Sequence, residues 1–350
     1  MVSAEVAALT QQHKKLTWQR ISIVAGLCLI AAVAFVVSNF VGAIDISPGE
    51  VIRGIVKPSS LDDQTHTVLW KLRLPMAVMA LLIGVSLSLA GAEMQTILNN
   101  PLAEPFTLGI SAAAAFGGAS SIVLKWQLLT QPQFNLALVA WLSAAVATAI
   151  IVVAAIIRGA KAETMVLLGI GLVFFQAMLA LIQYQSSAEA LQQIVFWSMG
   201  SLTRANWVAN GVLAGVLLVA LPILWALSWR LTALRLGDAR AAAMGINTAR
   251  LRVVVLIVVS LVAATTVAFA GIIGFIGLVG PHIARMLVGE DQRYFVPASM
   301  AAGAAVMCAA HAASLMIKPG LAIPIGIVTS LLGVPFFIAI VMTRRRALWT

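Results

Sequence analysis

The residues able to do chemistry are few in this sequence. It holds four histidines, His13, His66, His282 and His311, and two cysteines, Cys28 and Cys308. No two histidines are close in sequence, and no Cys/His/Asp/Glu cluster has the spacing of a metal site. No Ser-His-Asp or Cys-His set can be argued from spacing either. Cys28 and Cys308 both lie in apolar stretches and read as small buried hydrophobes rather than a disulfide framework. His282, in Gly280-Pro281-His282-Ile283-Ala284-Arg285, reads as a helix-start or loop contact. His311 falls deep in an apolar stretch, where a polar group is costly unless paired, and a helix–helix hydrogen bond is the expected role. Glu93 is the acid nearest an apolar interior. It reads as a boundary residue with a hydrogen-bond partner, a coupling carboxylate being the sharper alternative. No Gly-x-x-x-x-Gly-Lys-Ser/Thr loop occurs, so the chain supplies no P-loop ATPase of its own.

The elements that position these residues are dictated by composition. Of 350 residues, 61% are apolar and 10% charged, against about 25% charged in soluble domains. A chain this apolar cannot cover itself with solvated surface. The net charge of +10 sits at the ends of apolar runs, the pattern of membrane flanks and not of a nucleic-acid face.

Residues 21–44 form an uncharged run longer than a signal-peptide core and long enough to cross a bilayer, so they read as a retained first span. Further spans are expected at 74–92, 105–124, 126–157 (with a loop at Pro132), 164–188 and 205–229. Residues 253–284 are too long for one span. Gly271, Gly274, Gly277, Gly280 and Pro281 divide them into a seventh span and a short eighth. Spans nine and ten follow at 294–317 and 319–343. The fold class is therefore all-α: a single membrane domain over 21–343, of about ten helices, after an N-terminal cytoplasmic segment (1–20). A cytoplasmic loop at 230–252 interrupts it and a basic tail (344–350) follows.

With the N-terminus inside, fifteen lysines and arginines fall on the cytoplasmic side and seven outside, as the positive-inside rule favours. An even span count returns Arg344, Arg345 and Arg346 to the cytoplasm. In the outer loop Ser47-Pro48-Gly49-Glu50 reads as a helix start. Small residues at 84–91 and 112–118 predict close helix packing, or a face that moves or lines a path. With acids at span ends, an ion-coupled carrier is less favoured than a permease driven from outside the chain.

Several segments together carry a resemblance. They are Arg73-Leu74-Pro75, Gly91-Ala92-Glu93-Met94-Gln95, Asn100-Pro101-Leu102-Ala103-Glu104-Pro105, Trp197-Ser198-Met199-Gly200-Ser201, Leu236-Gly237-Asp238 and Ala243-Met244-Gly245-Ile246. The densest is 271–289, GIIGFIGLVGPHIARMLVG, and the last is Ile323-Pro324-Ile325-Gly326 with Gly333-Val334-Pro335. In this order, over 70–343, they resemble FecCD-type permease subunits of bacterial ABC importers for iron–siderophore complexes, haem or vitamin B12.

The resemblance implies a ten-span type II importer fold with inverted halves, in the inner membrane, paired as a homodimer or pseudo-dimer. It implies no cofactor on this chain; ATP and Mg would be used by two copies of a cytoplasmic ATP-binding subunit. Those would dock on Leu236, Gly237, Asp238, Ala243, Met244 and Gly245. A periplasmic or lipoprotein substrate-binding protein would dock on the other face, at Arg73 and Lys318. The fifth span, including Gly169 and Gly171, would line the path. Glu93, Asn100, Pro101, Gly277, Pro281 and His282 are assigned path or structural roles. Two positions depart from the family pattern: Met76 stands where many members have a second arginine, and Gln292 where a histidine is usual.

Overall fold

The computed structural model describes residues 2–42, 44, 46–172, 174–317 and 323–343. Lys318 and the tail 344–350 lie outside these residues. Ten apolar helical segments are present among them, seven long enough to cross a membrane and three shorter. We number them α1 (Val2–Phe40), α2 (Leu74–Ile97), α3 (Ile110–Val123), α4 (Pro132–Arg158) and α5, which breaks into α5a (Ala162–Gly171) and α5b (Phe174–Gln185). The rest are α6 (Trp207–Leu234), α7 (Thr248–Ala270), α8 (Ile276–Val288), α9 (Gln292–Met316) and α10 (Ile325–Thr343).

Local sequence sets several ends. Pro132 starts α4 at a position where a missing N–H costs nothing. Gly159 ends it in the left-handed conformation. The helix start expected at Ser47-Pro48 is met, and Ser47 and Glu50 also close a reciprocal capping box on the short outer helix Pro48–Val56. The division of 253–284 is also met. Gly271 ends α7 and Phe275, at φ +68°, opens the 13-residue α8.

The N-terminal segment and the first span share one helix, because α1 runs unbroken from Val2 to Phe40. The second span does not stop at Ala92 either. It continues to Ile97 and encloses Glu93. Cys308 is buried as expected, but Cys28 is exposed on the surface of α1.

Three helices, α2, α7 and α9, form the centre, and α1, α5 and α6 the rim; α2, α7 and α9 are mostly buried, whereas α1 and α5 are largely open. Small residues allow this. A Cβ on Gly91 of α2 would fall 2.7 Å from the carbonyl carbon of Gly277 on α8. With lipid giving no hydrophobic drive, such close backbone approach is what holds helices together. The packing also repeats internally. α2 lies on α9 as α7 lies on α4, α3 on α4 as α8 on α9, and α3 on α7 as α8 on α2. Helices α2, α3 and α4 thus pack as α7, α8 and α9 do, as expected of halves inverted in the membrane, whereas α1 and α6 do not: α1 packs on α9, and α6 on α2 and α7.

Candidate functional site

The segment joining α6 to α7 is built for contact. Leu236 and Met244 are exposed, 53% and 43%, while Ala241 and Ile246 are buried and anchor the turn. Gly237 has φ +98°, a region costly for any residue with a Cβ, and opens the short helix Asp238–Ala243. Gly245, at φ +78°, follows that helix and turns the chain toward α7.

Asp238 ties this exposed segment to the core. Arg252, 4% exposed, donates from Nη1 and Nη2 to the Asp238 carboxylate at 2.6 and 2.7 Å. Its Nε donates to the Ile97 carbonyl at the end of α2, 2.7 Å away. The Arg252 guanidinium holds the Asp238 carboxyl below the usual carboxylate range. One side chain thus links the surface segment to α7, which carries it, and to α2.

A second polar group extends the link. Glu290 receives Arg285 at 2.9 Å and also Arg235, at the end of α6. Arg285 Nη2 donates to Gln95 Oε1 at 2.7 Å, and Gln95 Nε2 donates to the Gly277 carbonyl at 3.3 Å. Gln292 Nε2 donates to Thr96 Oγ1 at 2.8 Å. The ends of α2, α6, α7, α8 and α9 are therefore coupled beneath the exposed turn.

At the opposite end of the bundle two cavities lie along α10. The outer, of about 870 Å³, is walled by Gln192 and Gln193 of the helix Ala188–Ser198 and by Arg204 and Pro324. Burial pushes the Arg204 guanidinium down to about 10, so it remains a cation at neutral pH. Its Nη2 has no hydrogen-bond partner among the described residues. The deeper cavity, of about 670 Å³, is walled by Glu104, Ser198, Phe275 and Ser330. Pro324, just before α10, and residues 326 to 335 of α10 line the two in turn, roughly 16 Å at 1.5 Å per residue. Together they outline a route running inward from the end that bears Arg204.

The remaining expected residues distribute as follows. Asn100 caps the turn after α2, its Oδ1 accepting from the Leu102 N–H at 2.9 Å, and Pro101 continues that turn. Gly169 packs on Leu108, and Gly171 ends α5a at the break. Pro281 lies within α8, one residue before His282, whose ring stands edge-on to Phe336 at 5.6 Å. Glu93 is not a boundary residue; it is 1% exposed inside α2, and its Oε2 has no partner among the described residues.

Arg73 is not an exposed docking contact. It is 5% exposed, and its guanidinium donates to the carbonyls of Asn39 (3.0 Å) and Ile44, closing the end of α1. Its sequence signal, a basic residue at a span end, does not distinguish the two roles. At Ser314 and His311 the hydrogen bond runs from the serine hydroxyl to the histidine carbonyl, 2.7 Å. Glu104 and Arg204 were not singled out by sequence. Glu104 sits in a proline-flanked turn, and only folding carries that turn into the bundle.

This architecture is matched by known proteins. The model of the FecCD transport family matches residues 29–343. The chain belongs to that family. It is 32% identical to the Fe(3+)-citrate import system permease protein YfmE of Bacillus subtilis, over 91% of this chain and 94% of YfmE. It is also 32% identical to the molybdate import system permease protein MolB of Haemophilus influenzae, over 93% of this chain and 96% of MolB. Among solved structures, a metal-chelate type ABC transporter in an inward-facing conformation superposes with a TM-score of 0.81 and 31% identity. That match covers 92% of this chain and 99% of the other. The FecCD-family chain is thus a multi-span transport permease subunit and not an enzyme. Membership of an ABC importer implies an ATPase and a substrate-binding protein as partners.

Proposed function

We propose that this permease forms the membrane path for a bulky metal chelate, a ferric siderophore, and that ATP and Mg are used by a separate subunit docked on residues 236–246. The exposed segment tied by Arg252 to both α2 and α7 carries this reading. A partner that moves Asp238 pulls on two of the three central helices at once. The likeness to an iron–citrate permease and to a metal-chelate transporter supports the cargo class. Arg204 in the outer cavity suits the anionic groups of such chelates. Molybdate, the cargo in the name of another relative, is likewise an anion, and vitamin B12 and haem permeases remain alternatives within the class.

A second copy of the chain is part of the proposal. Large apolar side chains of α5 and α10, among them Leu167, Phe174, Leu331 and Ile338, are 50% exposed or more. Pairing through these helices would close the route along α10. The charge asymmetry of the loops supports a cytoplasmic placement of both termini.

Uptake into proteoliposomes tests the energy source. Accumulation of ferric siderophore is expected only with binding protein, ATPase subunit and ATP together. Accumulation driven by an ion gradient alone would favour a secondary carrier and overturn the reading. A binding screen of the cognate binding protein with ferric siderophores, haem, vitamin B12 and molybdate tests the cargo.

A further inference from the structure

A third cavity, of about 830 Å³, lies away from the route along α10. It is walled by α1, α2, α6 and α9. Its shape follows the helices. Along α2 it extends from Leu81 to Glu93, along α9 from Ala304 to Gln292, and along α6 from Leu218 to Ser228. Those runs are roughly 18, 18 and 15 Å at 1.5 Å per residue. One leaflet's hydrocarbon is about 15 Å deep, half of the roughly 30 Å core.

Polarity is confined to one end. Glu93, Gln292 and Ser228 lie there, at the end of the bundle that carries residues 236–246, and the rest of the wall is apolar but for Cys28. Glu93 and Gln292 are each 1% exposed, and Glu93 Oε2 and Gln292 Oε1 have no hydrogen-bond partner among the described residues. The orientation of the Gln292 amide is set by its neighbours. The Thr96 hydroxyl donates to the Ala92 carbonyl at 2.8 Å, so its oxygen must accept from the Gln292 amide nitrogen. That leaves Oε1 free. Two buried acceptors without donors are costly, and a ligand that supplies donors there removes the cost.

We propose that this groove binds one phospholipid of the leaflet on the coupling side, with a primary-ammonium head. Its acyl chain lies along Phe35, Leu81, Leu218 and Ala304, and its ammonium donates to Glu93 and Gln292. An ammonium offers three donors; a trimethylated choline head offers none. The site is independent of the transported cargo.

Photolabelling tests this. The full chain is reconstituted in vesicles holding diazirine-tagged phosphatidylethanolamine or, separately, diazirine-tagged phosphatidylcholine, and labelled peptides are mapped by mass spectrometry. Phosphatidylethanolamine is expected to label α1, α6 and α9 at the groove on the order of tenfold more than phosphatidylcholine, the effect of one charge-assisted hydrogen bond. Ala301→Trp, which fills the groove, should abolish this label. The double variant Glu93→Leu/Gln292→Leu should retain chain contact but label equally with both lipids. Equal labelling of the unaltered chain would overturn the proposal. So would a label that survives Ala301→Trp, or a head-group preference that persists in the double variant. Because the double variant keeps the groove open, it decides the matter even if Ala301→Trp fails to fold.

Discussion

Replacing Arg252 by methionine should uncouple residues 236–246 from the helices beneath them. Methionine keeps much of the apolar stem, so the loss is confined to the guanidinium and its three hydrogen bonds. The Ile97 carbonyl, one of the C-terminal acceptors that α2 leaves unpaired, loses its donor. That costs about 1–3 kcal/mol. The Asp238 side chain is 53% exposed and rehydrates, so its two bonds count at about 1 kcal/mol. The total, about 2–4 kcal/mol, corresponds to a roughly thirtyfold to several-hundredfold rise in local opening. Hydrogen exchange at the amides of 236–246 reads that factor directly. Uptake per ATP hydrolysed, with the ATPase subunit bound, should fall with it. Asp238→Asn retains the tie to Ile97 and should raise exchange by less than about tenfold. Unchanged exchange in Arg252→Met, within about threefold, would show that the segment is held by something else and refute the reasoning.

Gly91→Ala should destabilise the chain by at least about 1–3 kcal/mol in thermal unfolding, because the added carbon meets the backbone of Gly277 and cannot be relieved by a rotamer change. Gly26→Ala, on an open face of α1, should be neutral or stabilising in the same assay. Gly237→Ala meets no atom but strains φ +98°, and should weaken ATPase coupling while thermal unfolding shifts by only about 1–2 kcal/mol. The Asp238–Arg252 pair predicts an acid dependence. The folded carboxyl titrates below its unfolded value of about 3.9, so its stabilisation is fully present above that pH and is lost as pH falls through the lower folded value. Unfolding curves of the unaltered chain and Asp238→Asn should differ at pH 7 and converge only as pH falls below the lowered folded value. A gap that persists in acid would contradict the pairing.

The sequence by itself determined that the chain lies in a membrane, how many apolar helices it has, and where several begin. These follow from run length, from prolines and glycines, and from the serine before proline at Ser47-Pro48, all local properties of a helix. The loop at 230–252 was also legible from its basic residues, and the resemblance to FecCD-type permeases pointed within it to 236–246. What the tertiary structure decided is which charged groups are paired and which are enclosed. Arg73 and Arg252 are both basic residues beside apolar runs, and their immediate sequence does not show the carbonyls they meet at Asn39 and Ile97. Glu93 looked like a boundary because a carboxylate inside a span is costly. It lies inside α2 because its surroundings are set by α1, α6 and α9, from elsewhere in the chain. Glu104 and Arg204 face cavities for the same reason. A hydrogen bond or a cavity wall depends on residues far apart in sequence, and only packing brings those together.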